Sequence, residues 1–124
     1  MNNKPLDKYI IEHQLSSCMN NTKWRELVEE ITKDQDYNPS VNIKTVFEKE
    51  NNNSFSTVWW EEVESEGYNL IEFLEINPIK EEFVGRLVKP KTTDYTKFIE
   101  SGLKKHSIPY EVNEGIFKIY GYKR

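Results

Sequence analysis

Catalysis in this chain would have to come from a short roll of side chains. The 124 residues hold two histidines, His13 and His106, and one cysteine, Cys18. A protein zinc site needs three or four ligands in reach, and these three residues show no such spacing. His13 and Cys18 do not share a helix face as i, i+4 residues do, which argues against a Cys–His nucleophile pair. His106 suits a partner for a helix C-terminus or a hairpin contact. Cys18 reads as a small buried hydrophobe. Carboxylates are the remaining acid–base candidates: Glu61, Glu62, Glu64 and Glu66, with Glu72 and Glu75. A carboxyl acting as a general acid needs a raised pKa, usually from burial. Nothing in the pattern marks one of these as buried, and a solvated face is the simpler reading. Walker loops, dinucleotide-binding glycine turns, nucleophile elbows and HExxH are absent. An orphan hydrolase using the carboxylates is therefore a secondary option, and neither a cofactor nor a metal is expected.

Two constellations point to binding instead. Trp59-Trp60 precedes Glu61, Glu62, Glu64 and Glu66. On a strand, neighbours face opposite sides, so one Trp can be core while the other faces out. A helix over the second face would bury both. An exposed Trp among carboxylates has the composition of a hot spot for a basic protein partner. The second constellation is cationic: Arg86, Lys104, Lys105 and Lys118, with Lys89, Lys91, Lys123, Arg124, Tyr120 and Tyr122. Cations interleaved with aromatics suit phosphates, although solubility charges around a hairpin fit as well.

Charge distribution separates the two. Residues 1–47 carry 6 basic and 7 acidic groups, residues 48–82 carry 2 and 10, and residues 83–124 carry 9 and 4. The total is −4, so the whole protein should repel nucleic acid, and a nucleic-acid module would have to use the C-terminal block alone. Length implies one domain over residues 1–124, large enough to bury roughly two thirds of its unfolded surface. Seven Tyr, 6 Phe and 3 Trp supplement an apolar fraction of 36%. No apolar run approaches the ~20 residues of a membrane span, and the polar N-terminus lacks a signal-peptide core. A lone cysteine cannot form an intrachain disulfide. A cytoplasmic location with no membrane partner is expected.

The elements that must position these groups follow from periodicity. Asn2 to Cys18 predicts a helix with Leu6, Tyr9, Ile10 and His13 on one side, broken at Met19-Asn20-Asn21. A second helix runs from about Thr22 to Lys33, with Trp24, Leu27, Val28 and Ile31 at helical spacing. Val41, Ile43, Thr45 and Phe47 alternate with more polar neighbours as a half-buried strand, and Lys49 to Asn53 is a polar turn. Phe55 to Val63 predicts a second strand. Leu70 to Ile76 is a third, apolar on both sides except at Glu72 and Glu75, as central strands are. Phe83 to Val88 is a fourth, with Gly85 as a possible bulge.

The last third is the clearest. Thr92, Thr93 and Asp94 offer N-cap oxygens. Tyr95, Phe98, Ile99 and Leu103 form one helical face, with Lys104, Lys105 and His106 in the last turn. Gly102 in that helix suggests close approach of a neighbouring strand. Glu114-Gly115 suits a two-residue hairpin loop that pairs Val112 with Phe117 and Tyr110 with Ile119, placing all four on one apolar face. The helix stripe packs most simply on that face. Strands bracketed by helices argue α+β: a mainly antiparallel sheet of five to six strands, two N-terminal helices, and one helix before a C-terminal hairpin.

Two segments carry a resemblance. Asn21-Thr22-Lys23-Trp24-Arg25-Glu26-Leu27 is one. The other is the series Gly85-Arg86-Leu87-Val88, Pro90, Thr93-Asp94, His106-Ser107-Ile108-Pro109-Tyr110 and Ile119-Tyr120-Gly121-Tyr122. Together they resemble a family of small bacterial proteins of unknown function. The resemblance implies a bacterial, cytoplasmic, stand-alone domain and brings no catalytic residues. The sequence thus points to a non-catalytic interaction module, of which an immunity-type inhibitor of a basic toxin is one form. Trp59, Trp60, Glu61, Glu62, Glu64 and Glu66 are its candidate contacts.

Overall fold

Apolar residues spaced two apart on three strands, closed by apolar stripes on two helices, explain where the core lies. The computed structural model describes residues 4–48 and 54–124. The elements run α1 (Lys4–Glu12), β1 (Ser16–Ser17), α2 (Asn21–Thr32), β2 (Ser40–Thr45), α3 (Trp60–Glu66), a 3-10 turn (Tyr68–Leu70), β3 (Ile71–Asn77), β4 (Ile79–Glu82), β5 (Lys91–Asp94), α4 (Thr96–Lys105), β6 (Glu111–Asn113), β7 (Ile116–Tyr120) and β8 (Tyr122–Lys123). The main sheet has the order β2-β3-β7-β6, and β1-β8 and β4-β5 form separate two-stranded ribbons. Every named pairing is antiparallel. The α+β, antiparallel architecture is the one the sequence implies, with its strands divided among three sheets rather than gathered in one.

Register places Val41 beside Ile76 and Ile76 beside Phe117, and Ile43 beside Leu74 and Leu74 beside Ile119. Residues paired this way share a face. Trp24, Leu27, Val28 and Ile31 of α2, with Ile99 and Leu103 of α4, complete the same cluster. Each such side chain contributes about 1.5–3 kcal/mol by leaving water. Asn20 starts α2 by accepting from the Lys23 N–H at 2.8 Å. Gly102 is where the two helices close, because a Cβ there would sit 3.0 Å from Glu30 Cβ. Its neighbour is therefore a helix, not the strand the sequence suggested.

The hairpin turns at Glu114 and Gly115, both at positive φ (52° and 82°), as a two-residue turn that matches strand twist requires. Val112 opposes Phe117 and Asn113 opposes Ile116. The ladder stops at Glu111, short of the expected Tyr110–Ile119 pair, and Tyr110 instead packs its ring 5.5 Å from that of Phe117. Val112 stays half-exposed, so the apolar face is narrower than the two full pairs expected.

Other expectations are corrected. α1 ends at Glu12; Gln14 then takes φ 53°, and Ser16–Ser17 pair with β8. The strand expected at Phe55 to Val63 reduces to one bridge between Ser56 and Val41, followed by helix α3. Glu is a better helix than strand former, and Glu61 and Glu62 in the first turn suit the helix dipole. The strand expected at Phe83 to Val88 is an exposed connection between β4 and β5. Thr92-Thr93-Asp94 lie in β5, and the N-cap position falls to Tyr95, which makes no side-chain cap bond; Asp94, one residue earlier, accepts from the Thr96 N–H at 2.8 Å. The turn expected at 49–53 lies outside the described residues.

β7 and β8 are joined at Gly121, whose N–H donates to Glu72 O at 2.7 Å and whose carbonyl accepts from Cys18 N–H at 2.8 Å. A Cβ at Gly121 would lie 2.0 Å from Ile71 O. Backbone cannot yield that distance locally. Gly121→Ala is expected to cost several kcal/mol, lowering Tm by about 10 °C or more, whereas Gly115→Ala, with open space but positive φ, costs about 1 kcal/mol. Thermal unfolding followed by circular dichroism checks both. Equal, small losses would refute the close approach at Gly121.

Candidate functional site

α3 is short, and its sequence decides what faces where. Trp60 and Val63 pack inward against the core. The Trp60 indole Nε1 is buried without a hydrogen-bond partner among the described residues, a loss of about 1–3 kcal/mol for such a group. Trp59, at the extended N-cap position, is 76% exposed. Gly67, at φ 112°, ends the helix and donates its N–H toward Val63 and Glu64 carbonyls.

Trp59 stands at an open groove of about 480 Å³ lined by Thr57, Val58, Trp59, Glu62, Val63 and Glu66. Glu62 and Glu66 are i, i+4 on the helix and fall on one side. Arg25 of α2 holds Glu64, donating from Nε and Nη2 at 3.3 Å. Glu61 is exposed and does not line the groove. Of the six sequence candidates, the fold brings together Trp59, Glu62 and Glu66. It sends Trp60 to the core, engages Glu64 with Arg25, and leaves Glu61 apart. The groove's apolar floor, an exposed indole and two carboxylates suit a segment with a large apolar side chain flanked by cations.

The cationic candidates are dispersed. Lys118 alternates with Phe117 and Ile119, so it lies on the sheet face opposite the helices. There its ammonium sits 4.1 Å from the Phe73 ring centroid and 5.0 Å from that of Tyr120. Lys123 lies 4.5 Å from the Tyr120 centroid and 3.5 Å from Glu111. Tyr122 is buried. Lys104 pairs with Glu100 at 2.8 Å and Lys105 with Glu30 at 3.1 Å, both on the helical side. Arg86 is on the exposed connection between β4 and β5. A single phosphate-binding face is not assembled from Arg86, Lys104, Lys105 and Lys118.

The histidines and cysteine have structural surroundings. His13 stacks on Tyr9 with centroids 3.9 Å apart. Cys18 is exposed, not buried as its residue type suggested. His106 is the C-cap of α4, held by a network the sequence reading missed. Its Nε2 lies 3.0 Å from Glu30 Oε1, and its Nδ1 contacts Glu26. Lys23 also donates to the His106 carbonyl. The spacing of Glu26 and Glu30, one turn apart on α2, was the available signal. Among the described residues, no group of three His, Cys, Asp or Glu side chains is placed to hold a metal ion, and no helix is long and apolar enough to cross a membrane.

Comparison with known proteins identifies the family. Residues 6–124 match DUF6678, a family of unknown function, and the chain belongs to it. Neither the curated proteins nor the solved structures offer a match.

The Glu30 network has a measurable signature. Lys33, at 2.6 Å, and then His106 hold the buried Glu30 carboxyl at about 2, against an ordinary 4.5, with burial opposing them. A folded-state value below the unfolded one stabilises fully above pH 4.5 and is lost as pH falls toward 2. The Lys33 and Lys105 partners of Glu30 are mostly exposed, so water screens the interaction and the linkage amounts to on the order of 1 kcal/mol. Wild-type Tm should therefore fall through that acid window. Glu30→Gln should start lower at neutral pH and lose less across the same window. Parallel Tm–pH curves for the two proteins would show that Glu30 carries no such linkage.

Proposed function

We propose that this protein is a non-catalytic interaction module that receives a basic protein partner in the Trp59 groove, acting in the bacterial cytoplasm as an immunity-type inhibitor of a toxin domain. The observation that carries the reading is Trp59: a large aromatic three-quarters exposed, at the lip of a groove shared with Glu62 and Glu66. Exposed indoles with complementary charge are the chemistry of interface hot spots, and acidic groups speed encounter with a basic surface. The −8 charge of residues 48–82 surrounds this site in sequence.

The alternatives have less support. A nucleic-acid module would need its cations on one face, and here they are divided between the two sides of the sheet. A hydrolase would need a carboxyl with a raised pKa. Among the described residues, the three carboxyls clearly displaced from their ordinary values, Glu30, Glu82 and Asp94, all move downward.

An immunity protein is encoded beside its toxin, so the partner to test is the basic C-terminal domain of the neighbouring reading frame. In a titration, wild type is expected to bind it with salt-sensitive affinity. Trp59→Ala should weaken binding by about 2 kcal/mol or more, near 30-fold. Glu62→Lys/Glu66→Lys should weaken it further at low salt and flatten the salt dependence. No binding by wild type, or charge reversals without effect, overturns the groove as the partner site.

A further inference from the structure

The largest unexplained feature of the surface is the connection between β4 and β5. Phe83, Val84, Leu87 and Val88 are 77%, 66%, 100% and 60% exposed. All ten residues from 83 to 92 are exposed. Arg86 and Lys89 are interleaved with the apolar side chains, and no acidic residue occurs between Glu82 and Asp94. The β4-β5 ribbon that carries this tip is separate from the main sheet. It is anchored at its base by the Tyr95 N–H donating to Pro78 O at 2.8 Å and by Lys80 donating to the Asp36 carbonyl. A contiguous exposed apolar patch marks an interaction surface.

The same chain carries its complement. The tip is convex, apolar and cationic; the Trp59 groove is concave, floored by Val58 and Val63, and edged by Glu62 and Glu66. Both are open within one copy, since Trp59 and Leu87 are each exposed, so the tip does not fill its own groove. We infer that the tip at Phe83–Val88 of one copy docks in the Trp59 groove of a second copy. Leu87 and Phe83 lie against the Trp59 indole, and Arg86 and Lys89 face Glu62 and Glu66. Two reciprocal contacts of this kind close a two-fold dimer. This rests on the groove reading above and deepens it: the occupant has the chemistry predicted for the foreign partner, and the two compete for one site.

The test uses the full-length protein and sedimentation velocity. Wild type is expected to rise toward twice the monomer mass with concentration and to dissociate as salt increases. Glu62→Lys/Glu66→Lys and Arg86→Glu/Lys89→Glu alter exposed side chains only, and each alone should be monomeric. Mixed together, the two variants match charge at both reciprocal contacts, so association should return at least 10-fold over either alone. Leu87→Asp should be monomeric in any mixture. A wild type that stays monomeric overturns the inference, as does a dimer that both charge variants retain or a mixture that does not associate. In each case the titration with the neighbouring basic domain still reads the groove independently, so loss of the homotypic contact is distinguishable from loss of the partner site.

Discussion

Two helices can share one face of a four-stranded sheet only if they come close together, and Gly102 sets that distance. With a Cβ there, Glu30 would be met at 3.0 Å. Because the helices do close, Ile99 and Leu103 reach the apolar face of β3 and β7. The same proximity carries Glu26 and Glu30 beneath the C-terminal turn of α4, where His106 and Lys105 find them. The helix end thus gains Lys105 against its dipole, and both Lys105 and His106 gain carboxylate partners. The electrostatic clasp follows from the packing. It also explains why Lys105 belongs to the core's edge and not to a phosphate-binding surface.

The other face of the sheet needs no helix. An antiparallel sheet tolerates water on one side, and here Lys44 pairs with Glu72 at 2.8 Å while Asn42 donates to Glu75 at 2.9 Å. Phe73 and its cross-strand partner Tyr120 are the exceptions, aromatics on the polar side. Lys118 lies over both rings, so an ammonium and its alkyl stem provide the cover that a helix provides opposite. The register shift after Lys44 keeps Ile71 in the core while Glu72 reaches Lys44. The folded chain therefore separates roles, one sheet face for stability and the opposite for solvation, and it leaves large apolar side chains exposed at Trp59 beside α3 and at the β4-β5 tip.

What could be read in advance was what local periodicity encodes. α2, β2, β3, α4 and the Glu114-Gly115 hairpin each satisfy a helical or alternating pattern with matching caps or turn residues, and each formed close to its expected bounds. The failures share a cause. Phe83-Val84 and Leu87-Val88 have strand composition without a sheet neighbour, so composition alone misplaced the strand. Ser16–Ser17 have no strand signal, and pair only because residues 122–123 arrive beside them. The candidate site turned on period. Read as a strand, Trp60, Glu62, Glu64 and Glu66 share a face. Folded as a helix, Trp59 joins Glu62 and Glu66, and Glu64 turns to Arg25. The residue types were legible, but the side on which they met depended on which periodicity prevailed.

The strand order has a consequence for how the protein is made. β7 lies between β3 and β6, yet residues 78–115 separate it from β3 along the chain. Until residues 116–120 leave the ribosome, β3 has β2 on one edge and nothing on the other, with Leu74 and Ile76 lacking their partners Ile119 and Phe117. Such long-range pairings are slow to form, and an unpaired apolar edge is prone to misassociation while it waits. Nascent chains stopped before β7 should therefore be substrates for chaperones and proteases rather than partial versions of the domain.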